Sequence, residues 1–159
     1  MGFALCDLTV TSTAFNQLGE IPNTHTGEAE NRSPQLSWAN IPDGCQSFAV
    51  VCHDPDAPRV NADGTYGYVH WVVYNIPSDI HQLEEDSNLY TSGLNDFGRG
   101  GYGGPMPPKG HGIHLYYFWV LALDTQLELP EGLSMRELLA KVEPNLIGMN
   151  RLVGSYQRD

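Results

Sequence analysis

The stretch GIHLYYFWVLALD, residues 112–124, limits what this chain can fold into more than any other. From His114 to Leu123 it holds no acidic or basic carbon-chain residue and no proline, and it is filled with aromatic and branched side chains. That composition suits the pleated, buried surface of a central strand better than a helix. Partners for it recur along the chain. SFAVVCH (47–53) and HWVVYNIP (70–77) read as buried strands, FALCDLTVTS (3–12) as a first strand, and PQLSWANIP (34–42) as a short extended piece stopped by Asp43-Gly44. Turn residues separate these runs, as they do in all-β domains.

The pattern changes after residue 130. Ser134 and Glu137 form S-x-x-E, the capping box that opens helices. Met135, Leu138, Leu139 and Val142 then recur on one helical face. Pro144 is expected to open a second helix. Leu146, Met149 and Val153 would continue it, and Gly154 would end it. The expected fold is therefore mainly β, a β-sandwich with peripheral helices, two of them C-terminal. At 159 residues, one domain spanning 1–159 is expected.

Charge narrows the function classes. Nineteen acidic against eight basic residues give a formal net charge of −11. No basic stripe is present, so general binding to nucleic acid or to an anionic membrane surface is disfavoured. No run approaches the ~18 apolar residues of a membrane span. The first ten residues lack the basic region and apolar core of a signal peptide. Three cysteines, an odd number with no CxxC pair, point to reduced thiols and a cytoplasmic setting.

Asp54, Asp56, His70 and His114 all stand at expected strand ends, where a fold presents side chains to a pocket. Two long irregular stretches, 54–69 and 84–111, flank them, and long ordered loops are often functional. No G-x-S-x-G elbow is present. Cys52 lies inside a strand with nothing to activate it. The glycine-rich GRGGYGGP is followed by prolines rather than by GK[ST], which does not fit a phosphate-cradling loop. D-x-D, and the pair His111 and His114 with Gly112 between them, are weak metal patterns. What remains is a polar pocket in which His70 and His114 donate hydrogen bonds to an anion. Glycine amides near 101–104 would add donors. The two Asp residues either orient the histidines or meet a cation on the ligand, which suits a zwitterionic head with a phosphate beside an ammonium. The plainer readings are that both Asp residues cap turns before proline, that His70 is a satisfied core histidine, and that PMPPKG is a rigid turn. In that view His25, His53 and His81 are structural, and Tyr116 to Trp119 belong to the core.

DPDAP (54–58), YVHWVVYNIP (68–77) and GGPMPPKGHGIHLYYF (103–118) together resemble the motifs of the phosphatidylethanolamine-binding protein family. IPNTHTGEAENRSPQLSW (21–38) and LVGSYQR (152–158) are similar to the entry and closing segments of its small bacterial branch, the Raf kinase inhibitor-like proteins. The resemblance covers nearly the whole chain. It implies a β-sandwich with a small anion-accepting pocket, and homodimers. It places Asp54, Asp56, Pro58, His70, Gly104, Pro105, Pro107, Pro108, His114 and Tyr116 at that pocket, with a cis Ala57–Pro58 bond. Leu115 stands where the family usually has arginine, His25 where a tyrosine is usual, and His111 is an extra histidine near the mouth.

The expectation is a cytoplasmic, non-enzymatic binding protein that needs no cofactor and has no metal. Its ligand would be a phosphorylated or carboxylated group, either a phosphoethanolamine-type headgroup or a phosphorylated partner. The resemblance adds regulation of a kinase or protease as a protein-partner role. The alternative is a metal-dependent hydrolase built on the Asp/His cluster.

Overall fold

The structure, a computed structural model, describes residues 3–159. Its strands are β1 (Thr9–Thr11), β2 (Leu36–Ala39), β3 (Ser47–Asp54), β4 (Tyr68–Pro77), β5 (Gln82–Leu83), β6 (Thr91–Ser92), β7 (His114–Leu123) and β8 (Leu146–Tyr156). They form a three-stranded sheet, β1-β2-β5, and a five-stranded sheet, β6-β4-β3-β7-β8. Every pairing among these strands is antiparallel.

The two sheets make a β-sandwich. Val10, Leu36, Trp38 and Leu83 from the small sheet share one apolar cluster with Phe48, Val50, Trp71, Phe118 and Val120 from the large one. The opposite face of the large sheet is covered in turn. There Ala49, Val51, Val72, Tyr74 and Leu121 pack with Leu138 and Val142 of α1 (Met135–Val142), the single α-helix among the described residues. With both faces covered, β3 is buried along nearly its whole length, and its middle, Phe48 to Cys52, is apolar without alternation. The helix starts where the sequence places it. Ser134 Oγ accepts from the Glu137 amide, and the Glu137 carboxylate accepts from the Ser134 amide.

Three expectations are corrected. The second C-terminal helix does not form. Glu143–Asn145 make one 3₁₀ turn, and residues 146–156 enter the sheet as β8, paired to β7 from Leu146↔Leu123 to Tyr156↔His114. Its apolar residues mimic helical spacing because it too contributes to two cores. Leu152 and Tyr156 face the small sheet, while Leu146 and Met149 pack on the helix side, and a register irregularity near its start breaks the two-residue period. Gly154 is therefore not a helix end. A Cβ there would collide with the side chains of Ile21 and Phe15, so glycine permits this close approach. The first strand is also shorter than expected: only Thr9–Thr11 pair, and Phe3 and Leu5 are exposed. Finally, the described residues contain no cis peptide bond, so Ala57–Pro58 is trans. No helix among them is long and apolar enough to cross a membrane.

Candidate functional site

Asp54 is the last residue of β3 and His114 the first of β7. Tyr116 lies two residues beyond His114, on the same face of the strand. His70 is the third residue of β4. Antiparallel pairing of β3 with β4 and β7 brings these ends together. They form the floor of a cavity of about 310 Å³. The two long loops supply its walls: Ala57, Pro58 and Arg59 come from the first, and Phe97, Met106, Pro107 and Pro108 from the second.

Asp54 is buried and fully engaged. Its Oδ1 accepts from the Asp56 amide at 2.8 Å, and its Oδ2 accepts from His114 Nδ1 at 2.7 Å. The carboxylate thus turns the chain at Pro55 and orients a histidine. Since His114 Nδ1 donates to a carboxylate, its Nε2 faces outward, 2.7 Å from His111 Nδ1. Asp56 is exposed and points away from the cavity lining. Its Oδ2 accepts from the Leu115 amide at 2.8 Å. A backbone donor holds this acid at the position where the family pattern has arginine.

His70 sits among aromatic rings. Tyr68, Phe97 and Tyr116 lie 5.2, 5.6 and 5.1 Å away between ring centres, the last two edge-on. Its Nδ1 donates to the Gly103 carbonyl at 2.6 Å, which leaves Nε2 as an acceptor. Burial lowers its pKa despite the opposing pull of that carbonyl and of Asp54. The expected imidazolium donor is therefore a neutral ring. A free donor is found on Tyr116 instead. Its phenol oxygen is buried and has no hydrogen-bond partner. Burial first, and then the charge of Asp54, raise its pKa well above the ordinary tyrosine value, so it stays a hydroxyl.

The glycine-rich loop does not present free amides at 103 and 104. Gly103 N–H donates to the His70 carbonyl, and Gly104 N–H to Asn31 Oδ1. Gly104 and Pro105 are buried behind the wall rather than in it, and Pro105 accepts from the Gly27 amide. Pro107 and Pro108 do face the cavity, so PMPPKG is a wall as well as a turn. Sequence reading missed Arg59, Tyr68, Phe97 and Met106. Tyr68 was accessible to it, being two residues before His70 on one strand face. Arg59 is held by Asp96 at 2.8 Å, with its guanidinium 5.2 Å from the Tyr68 ring centre.

The other candidates behave as side chains of the scaffold. Cys6, Cys45 and Cys52 are free thiols, and burial holds that of Cys52 well above its usual pKa. Among the described residues no group of three His, Cys, Asp or Glu is placed to hold a metal ion. His25 is buried, with Nδ1 on the Arg32 carbonyl.

The fold and this cavity define a family. The model of the phosphatidylethanolamine-binding protein family matches residues 11–157, and the chain belongs to that family. It is 41% identical to a UPF0098 protein of Aquifex aeolicus over 157 residues, covering 94% of this chain and 88% of the relative. Among solved structures, Escherichia coli YbcL, described as a member of the mammalian PEBP family, superposes with a TM-score of 0.88 at 32% identity over 96% of this chain and 99% of that one. The Chlamydia trachomatis homologue CT736 superposes with a TM-score of 0.86 at 34% identity over 96% and 98%.

Proposed function

We propose that this protein binds, without turning it over, a small phosphorylated or carboxylated group in the cavity between Asp54, His70, His114 and Tyr116. The observation that carries this reading is the unpartnered phenol of Tyr116. A buried donor left without an acceptor is destabilising by ~1–3 kcal/mol, and an anionic oxygen is the partner that best relieves it. The volume, about 310 Å³, lies at the small end of the ~300–1,000 Å³ range of ligand pockets, which suits a headgroup and not a whole lipid.

The protonation pattern defines the ligand further. Tyr116 donates one hydrogen bond, whereas the neutral His70 offers a lone pair at Nε2. A hydrogen phosphate or a phosphate monoester carrying one proton satisfies both groups, and a fully ionised phosphate satisfies one. Binding is therefore coupled to a proton, held either on the ligand or on His70. The apolar walls accommodate a short carbon segment beside the phosphate. Phosphoethanolamine, the headgroup after which the family is named, has this shape, and a phosphorylated side chain of a protein partner would present the same chemistry.

An NMR titration with phosphorylethanolamine, in chelator, tests the reading on wild type and Tyr116→Phe. Saturable, joint shifts at 54–58, 68–70 and 114–116 that weaken in the variant are expected. Unshifted wild-type resonances at those positions would sink it.

A further inference from the structure

Hydrogen bonds link Asp54, His114 and His111 in a row and set the tautomers of the two neutral imidazoles. Asp54 Oδ2 can only accept from His114 Nδ1, so the neutral His114 ring carries its proton there and presents a lone pair at Nε2. That lone pair lies 2.7 Å from His111 Nδ1, which must then be the donor. Nε2 of His111 is left as a bare lone pair on an exposed ring. The turn that presents it is built for the purpose: Gly110 and Gly112, on either side, have φ of +73° and +97°, and His111 N–H is tied to the Pro108 carbonyl.

No other exposed histidine among the described residues has this arrangement. His81 and the half-buried His53 each use Nε2 on a backbone carbonyl, Ser78 and Tyr66. Their spare nitrogen is the Nδ1 crowded by its own Cβ. His111 alone joins an accessible Nε2 to a buried base behind Nδ1, and that base is backed by a carboxylate. This is the logic of an activated nucleophile: attacking atom, base, and a third group that orients the base.

We propose that His111 Nε2 is a phosphoryl-acceptor site, loaded by a donor in which phosphorus is bonded to nitrogen or to an acyl oxygen. With phosphoramidate the Nε2 lone pair forms the new N–P bond. The P–N bond of the donor breaks, and ammonia leaves with that electron pair. Positive charge developing on the His111 ring is relieved as its Nδ1 proton moves to His114 Nε2. The product is a neutral phosphorylated His111 beside a His114 imidazolium paired with the Asp54 carboxylate. One nitrogen suffices for this chemistry, and it does not depend on whether the neighbouring cavity holds an anion.

The test treats the full chain with potassium phosphoramidate and locates the product by ³¹P NMR and peptide mass mapping. One phosphoryl group on Nε2 of His111 is expected, formed roughly 10²-fold faster than any product at His81, the lower end of what positioned base catalysis gives. His111→Gln should abolish it, and Asp54→Asn should slow it towards the His81 rate. Equal rates at His111 and His81, attachment at Nδ1 of His111, or an unchanged rate in Asp54→Asn would each overturn the proposal. Should Asp54→Asn not fold, ¹⁵N NMR of the wild-type imidazoles at roughly pH 8 decides. Nδ1 protonated and Nε2 bare at His111 supports the site, and the reverse tautomer ends it.

Discussion

Strand β3 has a cavity at each end, and the two differ in kind. At its Ser47 end lies a cleft of about 360 Å³, lined by Asn75, Pro77 and the segment 126–130. At its Asp54 end lies the cavity of about 310 Å³ described above. By size the first is the better pocket, yet the polar side chains that its strands contribute, Ser47 and Asn75, are spent. Ser47 Oγ donates to the Thr125 carbonyl. Asn75 Nδ2 donates to Thr91 and to the Leu129 carbonyl, and its Oδ1 accepts from the Leu129 amide. The Asp54 end keeps a buried phenol without a partner and a histidine with one nitrogen to spare. Space alone does not make a site. Unspent hydrogen-bonding capacity in a dry setting does.

Substitutions at the two ends should separate them, and the largest effect is expected at Asp54. Asp54→Ala strips both His114 Nδ1 and the Asp56 amide of their buried acceptor. Each buried donor left without an acceptor destabilises by ~1–3 kcal/mol, two are stranded here, and a urea unfolding curve would show it. Wild-type-like stability would mean that His114 finds another acceptor.

Next comes Tyr116→Phe, which removes only the orphaned hydroxyl. Inorganic phosphate should bind weaker by ~1.5–3 kcal/mol, the value of a hydrogen bond to a charged group, while the unfolding midpoint stays level or rises. Calorimetric titration measures the first and chemical denaturation the second. A variant that binds as tightly as wild type would erase the distinction between the two ends.

The pH dependence is smaller and carries a sign. The folded-state pKa of His70 lies below its unfolded value of about 6.5, so the unfolded chain binds the extra proton first. The stability contribution of His70 is complete above that value and falls away as pH drops towards the folded pKa. Phosphate binding should run the opposite way, tightening between roughly pH 8 and pH 6 as a proton becomes available to share. Parallel titrations and unfolding midpoints across that range check both trends, and a flat affinity profile would remove His70 from the ligand. Smallest of all, Ser47→Ala should lower stability by about 1 kcal/mol, an ordinary buried hydrogen bond. It should leave every phosphate titration unchanged.

Much of this was legible in the sequence. The runs at 47–53, 70–77 and 112–124 declared themselves as strands because a sheet covered on both faces needs uninterrupted apolar residues. The S-x-x-E box at Ser134 declared the helix. The same two-sided covering hid β8, whose Leu146, Met149 and Val153 imitate a helical face, and Pro144 reinforced the error by suiting the first turn of a helix. At the site, the ends of β3 and β7 could be foreseen as neighbours. Which atom faces which could not, because a neutral His70 arises only once Tyr68, Phe97 and Tyr116 surround it. The glycine amides at 103 and 104 looked free for the same reason: their partners, the His70 carbonyl and Asn31, are remote in sequence.

That remoteness has a kinetic meaning. Arg158 Nη1 donates to the Pro107 carbonyl and its Nε to Glu28 Oε1, while the Gly110 amide donates to the Arg158 carbonyl. The cavity wall is therefore buckled by a residue 51 positions further along the chain, and that residue is anchored to one 130 positions before it. A ribosome-bound chain cannot close the buckle until Arg158 has emerged. Partly folded forms then lack the site, so a ligand of the cavity acts on the finished state alone. It deepens that basin by RT ln(1 + [L]/Kd), and a bound headgroup would report that the Arg158 buckle has closed.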